Sequence, residues 1–305
     1  MISVLQKIKV AVSHLLRTQM ELDIEDYGLK GFGDLCNRIL AHYADFPEPN
    51  ATVNEDILYK TVAPLQFSLN RSGESFANFA NSQNIATAAL CRHYFECYAN
   101  MPRGKRECFL FQESTGLLNK AIKERKNVYL TYREEHKNVA PCFFAFSPSQ
   151  VRAYLVVCDN DESKDVPARF HSLRLCHIKG VALDSQSQVF HYQSFELSHQ
   201  ADIFREHFDP FLCYGKSITV RLTEKGVERY NKLSTNRPKV ICNATDKSTA
   251  IDKIQMPGDY VFECSEALAK IYFPQFLSDA EVIEPRELRL WFKEQFDKAS
   301  SVYKR

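Results

Sequence analysis

The chain has no C-x-x-C pair, although its ten cysteines, at 36, 91, 97, 108, 142, 158, 176, 213, 242 and 264, are spread over most of its 305 residues. That spread excludes paired-thiol zinc and redox motifs, and the length excludes a disulfide miniprotein; the thiols are expected as buried, reduced core groups of a cytoplasmic protein. No run of about 18 apolar residues exists, so no membrane-spanning helix is expected. The opening MISVLQKIKVAV carries charges inside its apolar run and lacks a small-residue cleavage site, so it does not read as a signal peptide. Charge of one sign is not in excess: 39 Lys and Arg stand against 38 Asp and Glu, a net charge of +1. A protein that coats nucleic acid by bulk charge is thereby excluded, and any polyanion site must be local. Also missing are a P-loop, G-x-G-x-x-G, H-E-x-x-H and G-x-S-x-G. Cys91 with His93, and Cys176 with His177, lie close in sequence, but neither pair has a second half at metal-ligand spacing. No metal, no cofactor and no catalytic residue is expected; a nuclease or other hydrolase built from scattered carboxylates is the remaining enzymatic alternative.

What is present is a repeat. LCNRILAHYADFP, Leu35 to Pro47, returns 55 residues later as LCRHYFECYANMP, Leu90 to Pro102. Ahead of the first copy, Ile8, Val10 and Val12 alternate with Lys7, Lys9 and Ala11, the pattern of a half-buried strand. A helix from about His14 to Tyr27 stops at Gly28, and a second carries Phe32, Leu35, Ile39, Leu40 and Tyr43. Shifted by 55, Val10, Val12 and Ser13 become Leu65, Phe67 and Ser68. One strand with two short helices cannot bury its apolar faces, so the two copies, about 7–47 and 62–102, are expected to pair their strands antiparallel around one core, as a fused single-chain dimer.

This pattern resembles the ribbon-helix-helix family, most of all in Tyr27 to Tyr43, YGLKGFGDLCNRILAHY. The resemblance implies a DNA-reading ribbon. Lys7, Lys9 and Ala11 would face bases, and amides near Lys30 and Gly31, at the start of the second helix, would hold a phosphate. The second copy departs from the pattern, with Val62 in place of Lys7 and Pro64 in place of Lys9, so its strand is expected to be short or distorted. Residues 1–106 hold 11 basic and 11 acidic side chains. The unit therefore reads either as a DNA reader or as a scaffold that keeps the fold without readout.

P-R-G-K-R at 102–106 reads as a basic hinge loop into a second domain, 107–198. A helix at 116–126 is followed by short strands: NVYLTY, CFFAF near 142, AYLVVC near 153, a run from 169 to 181, and VFHY at 189. One helix with several short strands suggests a small barrel. The residues AIKERK, LTY, VAP, AYLVV and LRLCHIKGV, in that order, resemble the WYL domain, an SH3-like barrel of bacterial regulators that respond to nucleic acids or small effectors. Its name-giving triplet here is Ala153, Tyr154 and Leu155, and His177 stands where a second arginine is usual. By that resemblance the ligand pocket gathers Tyr132, Tyr154, Arg169, His171, Arg174 and His177, arginines for phosphate oxygens and tyrosines for stacking bases. Alternation puts Arg169 and His171 on one strand face.

After a linker at 199–215, residues 216–305 alternate strands and helices: a strand over 217–222, a helix over 224–233, strands over 239–243, 251–255 and 259–264, a helix over 266–273, a strand in AEVIEP and a final helix with Leu288, Trp291, Phe292 and Phe296 on one stripe. VIEPRELR, 282–289, resembles the extension that follows many WYL domains, which implies a homodimer. The expected fold class is thus multidomain α+β: a tandem, single-chain ribbon-helix-helix repeat, an SH3-like β-barrel WYL domain and a small α+β C-terminal domain. The combination resembles the WYL-domain accessory proteins of type VI-D CRISPR systems. That implies single-stranded RNA and a CRISPR effector protein as partners, with a ligand-responsive repressor on duplex DNA as the alternative.

Overall fold

The computed structural model describes residues 7–45, 62–82, 85–148, 150–185, 194–245 and 253–303. The fold is mixed α+β. Two compact units make it up, residues 1–198 and 199–305, and each has its own hydrophobic core. Among the described residues no helix is long and apolar enough to cross a membrane.

The first unit opens with strand β1 (Lys7–Ser13), helix α1 (His14–Tyr27) and helix α2 (Phe32–Asp45), followed by β2 (Val62–Ser68), α3 (Arg71–Ser82) and α4 (Thr87–Asn100). Positions 46 and 47, the end of the first expected copy, lie outside the described residues. Alternation in β1 is strict: Ile8, Val10 and Val12 are buried while Lys7 and Lys9 are exposed. Ser13 caps α1 by accepting from Leu16 N, and Gly28, at φ 62°, ends it in the left-handed conformation that glycine adopts without a Cβ clash. β1 and β2 pair antiparallel, and Val10 lies opposite Leu65, its own counterpart in the second copy. The pseudo-twofold axis of the repeat passes through that pair. The equivalent residues Leu35 and Leu90, Cys36 and Cys91, and Tyr43 and Tyr98 are all buried in the same core, with Tyr43 stacked on Tyr94 at 3.9 Å between ring centroids.

β2 is neither short nor distorted. It pairs over seven residues without a register shift. The reason lies in the ladder: the carbonyl of Ala11 accepts from Arg92 Nε, and that of its partner Pro64 accepts from Arg17 Nη1. Both carbonyls point away from the opposite strand, so Ala11 and Pro64 form a non-hydrogen-bonded pair in which the missing proline donor removes nothing.

The expected hinge at 102–106 is instead the start of helix α5 (Arg103–Leu110), capped by Pro102, and α6 (Gln112–Glu124) follows. Arg106 is buried and makes a two-point contact with Asp23, itself 1% exposed, at 2.8 and 3.2 Å. Next comes a five-stranded antiparallel sheet in the order β6-β5-β4-β3-β7, built from β3 (Val128–Tyr132), β4 (Glu135–Ser147), β5 (Arg152–Cys158), β6 (Phe170–Arg174) and β7 (Ile178–Leu183). The sheet is not closed into a barrel. A 3-10 turn at Leu175–His177 interrupts the run read as continuous from 169, and it carries the chain from β6 at one sheet edge to β7 at the other. The strand read at 189 lies outside the described residues. One core continues from Val10 and Tyr94 through Leu118 to Leu155 and Ile178, so the paired repeats and the sheet bury a common interior.

The second unit takes in most of helix α7 (Phe195–Glu206), which occupies the first half of the expected linker. A four-stranded antiparallel sheet follows, ordered β11-β8-β10-β9, from β8 (Ser217–Leu222), β9 (Lys239–Asn243), β10 (Gly258–Glu263) and β11 (Ala280–Glu284). Helices α8 (Glu224–Lys232), α9 (Glu266–Tyr272) and α10 (Arg286–Val302) pack on it. The expected strand over 251–255 is not found in 253–255, the part described. Leu288 and Phe292 of the final stripe are buried, with Trp291 and Phe296 packed partly against them.

Candidate functional site

Two surfaces carry the residues singled out by sequence. On the ribbon, Lys7 and Lys9 project outward and Ala11 is half-buried beside them; opposite lie Ser68, Gln66 and Pro64. The basic face is one-sided. At the start of α2, Lys30 is exposed and Gly31 has φ 139°. The Lys30 amide already donates to Asp34 Oδ2 at 3.2 Å, and Arg38 Nε pairs with the same carboxylate at 2.7 Å. A phosphate at this helix end would have to displace an internal carboxylate.

The second surface lies where β5, β6 and the 3-10 turn meet α1 and α5. Tyr154 and Arg174 are cross-strand partners, and the Tyr132 hydroxyl accepts from Arg174 N at 3.4 Å. His177 sets its ring edge-on to Tyr132, 6.2 Å between centroids. These four lie together. Arg169 and His171 stand apart, about 10 to 16 Å along the chain from Arg174 at strand rise. Arg169 belongs to a 3-10 turn, not to the strand, is buried, and donates from Nε and Nη2 to the Asp159 carbonyl at 3.3 and 3.1 Å. His171 is exposed and meets Asp159 Oδ2 at 2.8 Å, as does Lys164. This end of β6 is a structural clasp on Asp159.

The structure adds residues to the Arg174 cluster that sequence reasoning did not select. Arg174 Nη2 donates to the Asp26 carbonyl at 2.8 Å and lies 3.3 Å from its Oδ1. Arg152 Nη2 donates to the same Oδ1, and Arg103 Nη2 donates to Oδ2 at 2.5 Å. Three guanidinium groups from three elements thus converge on one carboxylate. Beneath them Glu107, fully buried, accepts from the backbone of Ala153 at 2.9 Å and of Cys176 at 3.3 Å, 3.9 Å from Arg174 Nε at the nearest. Arg152 Nη1 and Arg174 Nε are buried without a hydrogen-bond acceptor. Burial, and then the positive charges of Arg174, Arg133, Lys179 and Arg152, hold His177 below its ordinary value of 6.5. The local field is therefore positive in a molecule whose net charge is +1, and it combines guanidinium forks with the rings of Tyr132, Tyr154 and His177. Guanidinium forks pair with phosphate oxygens and aromatic rings stack on bases, so this arrangement is chemically suited to both.

Arg152 directly precedes the Ala153–Tyr154–Leu155 triplet, which could have drawn attention to it. Arg103 was in view only as part of a basic loop, and Asp26 had no sequence signal at all. Among the described residues no group of three or more His, Cys, Asp and Glu side chains could hold a metal ion. All ten cysteines are free, and burial pushes the Cys91 thiol up to about 12.

In fold, the whole chain (100%) is similar to the crystal structure of a CRISPR Cas-related protein, of which it covers 95%, with a TM-score of 0.60 and 14% sequence identity. A second similarity, to proteasome accessory factor B/C (PafBC) of Arthrobacter aurescens, spans 87% of this chain and 35% of that one at 15% identity, with a TM-score of 0.29, too low to carry a fold argument. No family model matches the sequence, and no curated protein matches it.

Proposed function

We propose that this protein is a non-enzymatic, nucleic-acid-binding regulator of the cytoplasm that takes single-stranded RNA on the Arg174 cluster and modulates an RNA-targeting CRISPR effector. The observation that carries this reading is the convergence of Arg103, Arg152 and Arg174, with two buried guanidinium N–H groups lacking acceptors, beside Tyr132, Tyr154 and His177. Unpaired strands expose both phosphates and base faces, the two features this combination engages, whereas a duplex hides its base faces. The fold shared with a CRISPR Cas-related protein supports the setting. In this reading residues 1–106 are a tandem ribbon-helix-helix scaffold, residues 107–198 a WYL-type module whose sheet stays open, and residues 216–305, reached through 199–215, the contact for a homodimer. Exposed Leu290 and Val302 on α10 favour the last assignment.

A second reading, a repressor on duplex DNA, is favoured by one observation: Lys7 and Lys9 stand exposed on the outer face of β1. Asp34 at the start of α2 and Pro64 on the facing strand weigh against it. Fluorescence anisotropy with a labelled single-stranded RNA and a duplex DNA of equal length, at near-physiological salt, separates the two. Under the first reading RNA binds tighter and Arg152→Ala with Arg174→Ala removes that binding, while Lys7→Ala with Lys9→Ala leaves it intact. Tighter duplex binding that disappears with the two lysines would install the second reading.

A further inference from the structure

Asp26 is an unfavourable choice for the helix that carries it. It lies in the last turn of α1, where the carbonyl ends and the helix dipole disfavour negative charge. Its carboxylate instead serves the arginines: Arg103 from α5, Arg152 from β5 and Arg174 at the end of β6. Two carboxylates, Asp26 and, 3.9 Å from Arg174 Nε, Glu107, answer three arginines. Glu107 uses its oxygens on the amides of Ala153 and Cys176. The two Asp26 oxygens cannot fill the donors on offer, and Arg152 Nη1 and Arg174 Nε are left over. A monoester phosphate brings three acceptor oxygens and nearly twice the charge, and a backbone diester adds two weaker bridging acceptors to its two charged oxygens.

We infer that Asp26 is a built-in stand-in for phosphate, and that a phosphate group of the ligand displaces its carboxylate from Arg152 and Arg174 on binding. This rests on the RNA-binding reading above and deepens it, because it assigns Arg103 and Arg152 to the site and gives the site an internal competitor. The consequence is mechanical. Asp26 sits two residues before Gly28, the left-handed residue that ends α1, and the same segment leads into α2. Loss of the Arg152 and Arg174 contacts leaves the Asp26 carboxylate held by Arg103 alone and loosens the α1–α2 turn of the first repeat, so ligand occupancy of the sheet is communicated to the paired repeats. The shared ligand chemistry is a phosphate ester, available from an RNA backbone or from a free nucleotide.

The test is anisotropy of a labelled single-stranded RNA on wild type, Asp26→Asn, Arg152→Ala with Arg174→Ala, and the triple variant, with adenosine 5′-monophosphate as a competitor in a separate arm. Removing the stand-in should tighten RNA binding on the order of tenfold, and the gain should vanish in the triple variant. Competition by the mononucleotide at concentrations near its own saturation identifies a nucleotide as the source; its failure to compete identifies the RNA backbone. If Asp26→Asn binds no tighter while the double arginine variant loses RNA, the stand-in is refuted and the RNA reading survives. If the double variant binds RNA like wild type, or no protein binds it, both fall. Hydrogen exchange on the wild type guards against a variant that does not fold: RNA should speed amide exchange over residues 24–30, and unchanged or slowed exchange there overturns the inference.

Discussion

At the scale of single residues, one group of buried polar side chains holds the fold through its charge pairing. Asp23, Arg106 and Tyr98 make up that group. Arg106 grips both Asp23 oxygens, the Tyr98 hydroxyl donates to Oδ2 at 2.7 Å, and Arg106 Nη1 donates to the Met101 carbonyl at 2.8 Å, which ties α1, α4 and α5 together. Arg106→Ala leaves a buried carboxylate without its counter-charge and should cost about 3–5 kcal/mol; Tyr98→Phe removes one charge-assisted bond and should cost roughly 1–3 kcal/mol. Urea unfolding of each variant measures both. His177 is half-buried beside the arginine cluster and acts on stability through its titration. Its folded value is depressed, so the unfolded chain takes up the proton first: the stability it contributes is complete above its ordinary value of 6.5 and is lost as pH falls through the lowered folded value. His177→Gln should flatten the acid-side fall in melting temperature between about pH 7 and 5; an unchanged slope would reject the assignment. Little of this was legible in sequence. Arg106 read as part of a basic hinge loop and Asp23 was not singled out, because their pairing joins positions 83 apart in the chain and no local spacing encodes it.

At the scale of elements, periodicity was the strong signal. The 55-residue repeat indicated that the two strands pair antiparallel, the structure adds that Val10 faces Leu65, and strands β8 and β9 fall on the residues their alternation indicated. What failed were inferences about how elements end. Pro64 was expected to break β2, but whether a strand proline removes a donor depends on which side of the ladder it faces, and that is set by the partner. The break at Leu175–His177 was invisible because its residues are as apolar as the strands beside it. Packing against an unforeseen neighbour also decides Gly226, in the first turn of α8: a Cβ there would meet the Asp279 carbonyl oxygen at 2.2 Å. Gly226→Ala, which helix propensity alone would favour by nearly 1 kcal/mol, should instead destabilise the second unit by about 1–3 kcal/mol through overpacking, read from its chemical denaturation.

At the scale of the whole molecule, cores and not motifs decide which stretches of chain fold together. A reading by motif divides the first 198 residues at 106, yet Val10, Tyr94, Leu118, Leu155 and Ile178 belong to one buried cluster, and Glu107 of α5 holds the backbone of β5 and of the 3-10 turn. Helices α5 and α6 pack on the sheet of residues 107–198, and their own apolar residues, Phe109 and Phe111, meet Tyr27, Tyr43 and Tyr98 of the repeats. Residues 199–305 differ: Ile218, Val220, Phe262, Tyr272, Phe276 and Phe292 close a core among themselves. Expressed alone, 199–305 should therefore unfold in one cooperative thermal transition with native-like near-UV circular dichroism, while 107–198 alone should expose Phe109 and Phe111, bind a hydrophobic dye and lack a sharp transition. A cooperative, dye-silent 107–198 fragment would mean that the shared core is dispensable. The coupling proposed between the arginine cluster and the α1–α2 turn depends on that core, because a displaced carboxylate can be felt across two motifs only where they are packed as one body.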